Sequence, residues 1–335
     1  MRIQKLLNKM EEEKLDAFLV TNMKNIRYLS GFTGDTGKLL ITHNHKYLIV
    51  DGRFLEQAAK ETNVEVIDYD KSFSKTIKRL CDENNAKKCA FESNDVTFGE
   101  YDALKKVMDS IELVPDNTTI ENIRLVKDEG EIKLIKHALK IALETFEEIK
   151  TKIVPGVTER EISAEIEYMM KLKGAEGVAF ETIVASGKRS SLPHGTATDK
   201  KIEYGDAVVI DMGALYNGYN SDITRTIFVG DMSKEQERIY EIVEKAQKKG
   251  IEAIKVGEKS SVPHNLVVEE FAKDNLDEYF VHSLGHGVGI DVHERPFLSP
   301  RGADTFQSGM IVTVEPGIYL PDKFGVRIED MIMIE

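Results

Sequence analysis

Five side chains beyond residue 200 of the 335-residue chain have the chemistry of a metal site: Asp211, Asp222, His286, Glu315 and Glu329. Each stands in or at the end of an apolar run or within a Gly-flanked turn, as in Val208-Val209-Ile210-Asp211, Gly285-His286-Gly287 and Val312-Thr313-Val314-Glu315. Four carboxylates and one imidazole are hard oxygen and borderline nitrogen donors, suited to Mn, Co, Fe or Zn rather than to a metal that prefers thiolates.

Spacing supports their convergence. Asp211 and Asp222 flank Tyr216-Asn217-Gly218-Tyr219, and Asn-Gly is the strongest short hairpin signal. A turn at that pair sets residue 211 opposite 224. Asp222 then becomes a diagonal neighbour of Asp211 on the same sheet face, with Cα atoms about 7 to 8 Å apart. A shift of one residue would put the two carboxylates on opposite faces. Glu315 and Glu329 bracket a Pro321-Asp322 turn in a similar way. Carboxylates brought together without cations repel one another and hold their protons, so the pattern makes sense mainly around metal ions. Taken singly, each residue has a plainer reading. An Asp closing an apolar strand is commonly a turn former, Glu315 and Glu329 fit solvent-facing strand positions, and His286 fits a turn. The joint pattern outweighs these.

The elements needed to position such a site are legible. Residues 1 to about 125 alternate helix and strand patterns. An amphipathic helix is expected over Met1 to Leu15, and strands at Ala17–Val20, Leu39–Ile41, Tyr47–Val50, Val64–Ile67 and Leu113–Val114. This is an α/β pattern. Near Lys127-Asp128-Glu129-Gly130 it gives way to a helix stripe at Ile132, Ile135, Leu139 and Ala142, so domains are placed at 1–125 and 126–335. Thr158 with Glu161 and Ser233 with Gln236 announce two more helices through capping boxes. Strands are expected at Thr182–Ala185, Ala207–Asp211, Ile223–Phe228, Gly309–Val314 and Val326–Ile334, an α+β pattern with mainly antiparallel pairing. The chain shows no fixed-period repeat and no low-complexity tract.

Composition narrows the function. A net charge of -13 has the wrong sign for a nucleic-acid partner. Cys81 and Cys89 form no CxxC and suggest neither a disulfide framework nor a zinc ribbon, which fits a cytoplasmic location. No run approaches the roughly 20 apolar residues of a membrane span, and the N-terminus lacks a signal-peptide pattern, so no membrane partner is expected.

Several segments resemble the aminopeptidase P, prolidase and creatinase family of pita-bread metallopeptidases. They are Ser191-Leu192-Pro193-His194-Gly195, Asp211-Met212-Gly213 with Asp222, His282-Ser283-Leu284-Gly285-His286-Gly287-Val288-Gly289, Val292-His293-Glu294, Val314-Glu315-Pro316-Gly317 and Arg327-Ile328-Glu329-Asp330. Tyr28-Leu29-Ser30-Gly31-Phe32-Thr33-Gly34 and Asp51-Gly52-Arg53 resemble the family's N-terminal domain. The resemblance spans essentially the whole chain. It implies a creatinase-like N-terminal domain followed by an α+β pita-bread catalytic domain, and two divalent metal ions, manganese first, with Co, Zn or Fe as alternatives. Asp211 would chelate one ion, His286 and Glu315 the other, and Asp222 and Glu329 would bridge. Creatinase itself lacks the intact set, so the complete set here points to a metallopeptidase.

The activity implied is release of an N-terminal residue ahead of proline by an Xaa-Pro aminopeptidase. An Xaa-Pro dipeptidase (prolidase) is the alternative, and a catalytically inactive scaffold the reading of another class. Two ions about 3.5 to 4 Å apart would activate a shared water. Glu315 would take its proton and pass it to the proline nitrogen. His194, His282 and His293 match family positions around the substrate, His293 best placed by the resemblance to donate to the carbonyl oxygen and His194 to lie near the substrate backbone. Arg327, two residues before Glu329, would orient a ligand carboxylate, or form a plain surface ion pair. Arg295 is either a substrate-carboxylate binder favouring dipeptides or a solvated loop charge. His43, His45, His137 and His264 lie outside the match and are read as structural. The family implies a proline-containing peptide as substrate, a homodimer whose N-terminal domain narrows access, and some chain beyond Glu335, which lies six residues after Glu329.

Overall fold

The structure, a computed structural model, describes residues 2–69 and 72–335. The chain forms two compact units, Met1–Arg124 and Leu125–Glu335.

The first unit interleaves helices α1 (Arg2–Glu12), α2 (Met23–Ser30), α3 (Leu55–Glu61), α4 (Phe73–Glu83), α5 (Phe98–Val107) and α6 (Thr119–Arg124) with six strands. These are β1 (Ala17–Val20), β2 (Lys38–Thr42), β3 (Lys46–Val50), β4 (Glu65–Asp68), β5 (Lys88–Glu92) and β6 (Glu112–Asp116). They lie in one sheet in the order β4-β3-β2-β1-β5-β6, antiparallel at β1–β2 and β2–β3 and parallel elsewhere. Ala17, Leu19, Leu40, Tyr47 and Ile49 pack one face against Ile77, Leu80 and Leu104 of α4 and α5. Phe18, Val20, Leu39, Ile41 and Leu48 are buried on the other face, which is why these strands read as continuous apolar runs. The helix expected from Met1 runs from Arg2, Met1 lying outside the described residues. Strand β5 escapes the sequence pattern because Lys87, Lys88 and Glu92 leave only Cys89-Ala90-Phe91 apolar. It nonetheless sits between β1 and β6, and Cys81 and Cys89 are buried free thiols.

The second unit starts with α7 (Glu129–Ile149) and α8 (Glu159–Leu172). A short strand β7 (Gly177–Val178) follows, then β8 (Ile183–Ser186), β9 (Ala207–Met212), β10 (Ala214–Tyr216), β11 (Tyr219–Asn220) and β12 (Ile223–Phe228). Helices α9 (Lys234–Glu252) and α10 (Ser261–Ala272) come next. Last are β13 (Gly285–Gly287), β14 (Glu294–Leu298), β15 (Ile311–Val314), β16 (Gly317–Leu320), β17 (Phe324–Arg327) and β18 (Asp330–Met333). Thr158 and Ser233 cap α8 and α9 in the boxes read from the sequence, each side chain satisfying a backbone donor that the helix leaves open. All strand pairs are antiparallel, in sheets ordered β11-β10-β7, β12-β9-β8, β14-β13-β15-β18 and β16-β17. Ile141, Phe146, Ile162 and Ile166 of α7 and α8 pack on Val184, Val208 and Ile210. Ile239, Val243, Val267 and Phe271 of α9 and α10 pack on Val312, Val314 and Val326. The single strand expected over Val326–Ile334 is corrected to two, β17 and β18, which pair with different partners and break at Ile328-Glu329.

Candidate metal centre

Each acidic residue stands where a strand ends or changes partner. In the first hairpin Asn217 and Gly218 take left-handed φ of 47° and 78°, and Thr224 pairs with Asp211 as that turn requires. Between the β9–β12 and β10–β11 ladders, Asp222 falls opposite Gly213 in the same register. A Cβ on Gly213 would lie 2.0 Å from the Ser221 carbonyl oxygen, so only glycine lets the strands approach here. In the second hairpin β16 pairs with β17 around Pro321-Asp322, and the chain then crosses into another sheet where β15 pairs with β18. Glu315 and Glu329 sit at this corner. Their backbone amides donate outward, Glu315 N to the Leu284 carbonyl at 2.8 Å and Glu329 N to the Thr224 carbonyl at 3.1 Å. Tying the corner to β12 and to the segment before His286 brings all three stretches together.

Donor atoms of Asp211, Asp222 and Glu329 lie within 4.8 Å of one another, as do those of His286, Glu315 and Glu329, and of Asp222, His286 and His293. All five candidate ligands are thus gathered, and Glu329 belongs to two of the three groups. His293 joins them, although the sequence reading gave it no metal role; its ring centroid is 4.3 Å from that of His286.

The electrostatics fit a cation-binding group. Burial pushes Glu315 up to about 8, and burial with mutual repulsion raises Asp222 and Glu329 well above the usual carboxylate range. Burial lowers His286 to about 4, so it is a neutral imidazole. Its Nδ1 faces the Gly287 carbonyl at 3.1 Å and carries the proton. Nε2 therefore presents a lone pair to Glu315 Oε1 at 3.4 Å and Asp222 Oδ2 at 3.6 Å. Asp211 Oδ1 and Glu329 Oε1 are buried with no hydrogen-bond partner. Lone pairs facing lone pairs in a desolvated cluster cost free energy unless protons or cations intervene. Oxygen and imidazole donors of this kind suit two hard or borderline divalent ions.

Arg327 supplies the only side-chain cation bonded to these carboxylates among the described residues. It is 3 % exposed, so the surface-pair alternative is excluded. Its Nη2 donates to Asp211 Oδ2 at 2.6 Å, Nε to Thr224 Oγ1 at 3.0 Å, and Nη1 to the Tyr319 hydroxyl at 2.7 Å and the Pro193 carbonyl at 3.1 Å. Although burial opposes its charge, Tyr319, Asp211 and Glu315 hold it firmly protonated. His282, lowered to about 4 by burial and by Arg327, directs Nδ1–H at the Ser283 carbonyl and accepts from the Tyr319 hydroxyl at Nε2, 2.9 Å away. With both nitrogens engaged, it orients Tyr319. His194, His282 and His293 line a cavity of about 460 Å³ over the carboxylates, with Phe180, Ile183 and Phe297 as apolar walls.

Two participants escaped the sequence reading. Thr224 Oγ1 donates to Glu329 Oε2 at 2.8 Å, and Tyr319 joins Arg327 to His282. Thr224 had a signal, because Asp222, Thr224 and Thr226 place polar groups at alternate positions and so on one face of the strand. Tyr319, within Gly-Ile-Tyr-Leu, had none. Arg295 pairs with Asp304, its Nε donating to Asp304 Oδ2 at 3.2 Å, and is not among the cavity's lining residues. Of the histidines read as structural, His264 accepts from the Leu284 amide at 3.2 Å, His43 meets the Leu15 carbonyl, His45 stacks on Tyr47, and His137 packs at a tilt against Tyr216.

An antiparallel, helix-covered unit that converges four carboxylates and an imidazole beneath a cavity defines a metal-dependent hydrolase. Residues 133–335 match Metallopeptidase family M24 and residues 2–126 match the Creatinase/Prolidase N-terminal domain, so the chain belongs to the M24 metallopeptidases. It is 42% identical over 340 residues to an Xaa-Pro dipeptidase of Pyrococcus horikoshii, covering 99% of this chain and 94% of that protein. The solved structure of an Xaa-Pro dipeptidase from Bacillus anthracis superposes with a TM-score of 0.97 at 41% identity, covering 100% of this chain and 94% of the other. That of an X-Pro aminopeptidase from Thermotoga maritima superposes with a TM-score of 0.91 at 40% identity, covering 96% and 93%. The architecture is the creatinase-type N-terminal domain followed by a pita-bread domain. Among the described residues no helix is long and apolar enough to cross a membrane.

Proposed function

We propose that this metallopeptidase is an Xaa-Pro dipeptidase, cleaving the bond between an N-terminal residue and a C-terminal proline. The observation that carries the hydrolytic reading is the convergence of Asp211, Asp222, His286, Glu315 and Glu329 with unpaired buried oxygens. Its likeness to proteins named Xaa-Pro dipeptidase favours the dipeptide substrate over the longer peptides expected first from the sequence. The aminopeptidase reading keeps support from the Thermotoga structure.

In this reading Asp211, Asp222, His286, Glu315 and Glu329 would together hold two divalent ions. Manganese is the first candidate. Such ions would polarise the scissile carbonyl and lower the pKa of water toward neutrality. Glu315 accepts the proton of the attacking water on a carboxylate oxygen and delivers it to the departing proline nitrogen. His293 donates to the carbonyl oxygen as negative charge develops there. His194 aligns the substrate backbone, and Arg327 fixes the rotamer of Asp211 while Thr224 fixes that of Glu329. The apolar walls exclude water and suit a pyrrolidine ring, which has no amide hydrogen to donate. A cytoplasmic homodimer completes the proposal.

Mass spectrometry of the manganese-loaded protein on Xaa-Pro dipeptides and on longer Xaa-Pro peptides tests it. Cleavage confined to dipeptides is expected. Release of one residue from longer chains would replace the reading with aminopeptidase, and no cleavage of either would sink both.

A further inference from the structure

Glu159, the first residue of α8, is fully buried at 0 % exposure, yet it makes no ion pair with the metal-site residues. Its carboxylate collects hydrogen bonds from both ends of one segment. Ser186 N and Oγ each donate to Oε1 at 2.8 Å, while Thr198 N and Oγ1 donate to Oε2 at 3.0 and 2.7 Å. Arg189, within the segment, donates Nε to Oε2 at 3.0 Å and Nη2 to the Thr196 carbonyl at 2.6 Å. Residues 187–197 therefore close into a loop pinned at its base by a single buried side chain.

That loop carries Pro193, His194 and Thr196 into the lining of the catalytic cavity. Its far side is tied to β17, where Arg327 Nη1 donates to the Pro193 carbonyl and Gly325 N donates to Ser190 Oγ at 2.8 Å. Gly195 is buried against Ala185, and an added Cβ would come within 2.9 Å of the Ala185 Cβ. His194 itself is exposed, and among the described residues its side chain has no hydrogen-bond partner, so only its backbone fixes it. The α8 cap does not depend on Glu159, because Thr158 and Glu161 complete it reciprocally. Loss of the Glu159 carboxylate thus leaves the helix capped and strands the donors at the base of the loop.

We infer that Glu159 is a positioning residue, whose buried carboxylate clamps the 187–197 loop at Ser186 and Thr198 and so holds His194 over the catalytic cavity. The kinetic half rests on the peptidase function proposed above. Glu159→Gln keeps size and shape but turns an amide donor toward the donors of Arg189 and Thr198. Glu159→Asp shortens the side chain by one methylene, so it cannot reach both ends.

A double-mutant cycle tests this with the full-length, manganese-loaded protein on an Xaa-Pro dipeptide. E159Q in the wild-type background should lower kcat/KM on the order of 10-fold to 100-fold, the range found when a partner that orients a functional ligand is removed. In a His194→Ala background the same change should cost less than about twofold, because positions acting through one another are not additive. Bound manganese should be unchanged. Equal losses in both backgrounds, or loss of metal, would overturn the inference. Amide hydrogen exchange provides a second readout that needs no turnover. E159Q should speed exchange across residues 187–197 while α8 stays protected. Unchanged loop exchange, or deprotection of α8 as well, would overturn it even if the wild-type protein cleaves no Xaa-Pro bond at all.

Discussion

Arg327 Nη2 lies 2.6 Å from Asp211 Oδ2, and the same guanidinium reaches Thr224, Tyr319 and Pro193. One cation therefore fixes a carboxylate from β9, the hydroxyl that orients Glu329, and the loop that bears His194. Lysine cannot reproduce this, since it offers a point charge where a planar fork is required. Arg327→Lys is expected to lower kcat/KM and metal affinity on the order of 10-fold to 100-fold, read by steady-state kinetics and manganese titration. Arg327→Met leaves Asp211 buried without its partner and should cost about 3 to 5 kcal/mol of folding stability before metal is added, read by urea denaturation. A variant with wild-type metal affinity would remove Arg327 from the site.

Metal-free protein has a pH dependence whose sign follows from its buried acids. Glu315 is pushed up to about 8 and Glu92 up to about 7, chiefly by burial, and Asp222 and Glu329 are raised further than ordinary carboxylates. The folded chain keeps these protons at a pH where the unfolded chain has released them, so stability falls as pH rises through the window. His282 and His286, lowered to about 4, act in the opposite direction, but only below about pH 6.5, where unfolded imidazoles are protonated. From pH 6.5 to 8 the acids alone remain. Chelated protein should lose up to about 1.4 kcal/mol per pH unit for each acid still protonated, and manganese-loaded protein should keep only the Glu92 share of that loss, because its metal ligands are already ionised. Thermal denaturation across that range, with and without chelator, measures both. Stability that stays level or climbs in the chelated protein would contradict the raised acids.

Gly213 allows Asp222 its place. A methyl group there meets a backbone oxygen that no side-chain rotation can move. Gly213→Ala should cost about 1 to 3 kcal/mol in stability and weaken manganese binding, since relief of the clash displaces Ser221-Asp222. Gly52→Ala, where the added atom meets nothing within 4 Å, is the matched control. Calorimetric manganese titration that finds both variants equal to wild type would show that the hairpin absorbs the clash.

Much of the architecture can be read from local pattern. Capping boxes at Thr158 and Ser233, the Asn217-Gly218 turn and the β-branched strand at Ile223–Phe228 all involve neighbours within a few residues, where backbone preferences act directly. Strand β5 could not be read this way, because charged residues at both ends mask a short apolar centre that is buried only after β1 and β6 pair with it.

The sequence alone determined which donor atoms this protein has and, through the parity of the 211–224 hairpin, that Asp211 and Asp222 can share a face. It also located Glu315 and Glu329 beside a turn. Tertiary structure decided that β17 and β18 pair with different strands, so that Glu329 turns inward at the break between them. It also recruited Thr224 and Tyr319 and fixed the neutral, Nδ1-protonated form of His286. Turn and strand preferences come from steric limits on adjacent dihedrals, which the chain carries wherever it goes. Ligand direction and protonation come from desolvation and the charges of residues distant in sequence, such as Asp211 and Arg327, 116 positions apart, and these act only once the chain has folded.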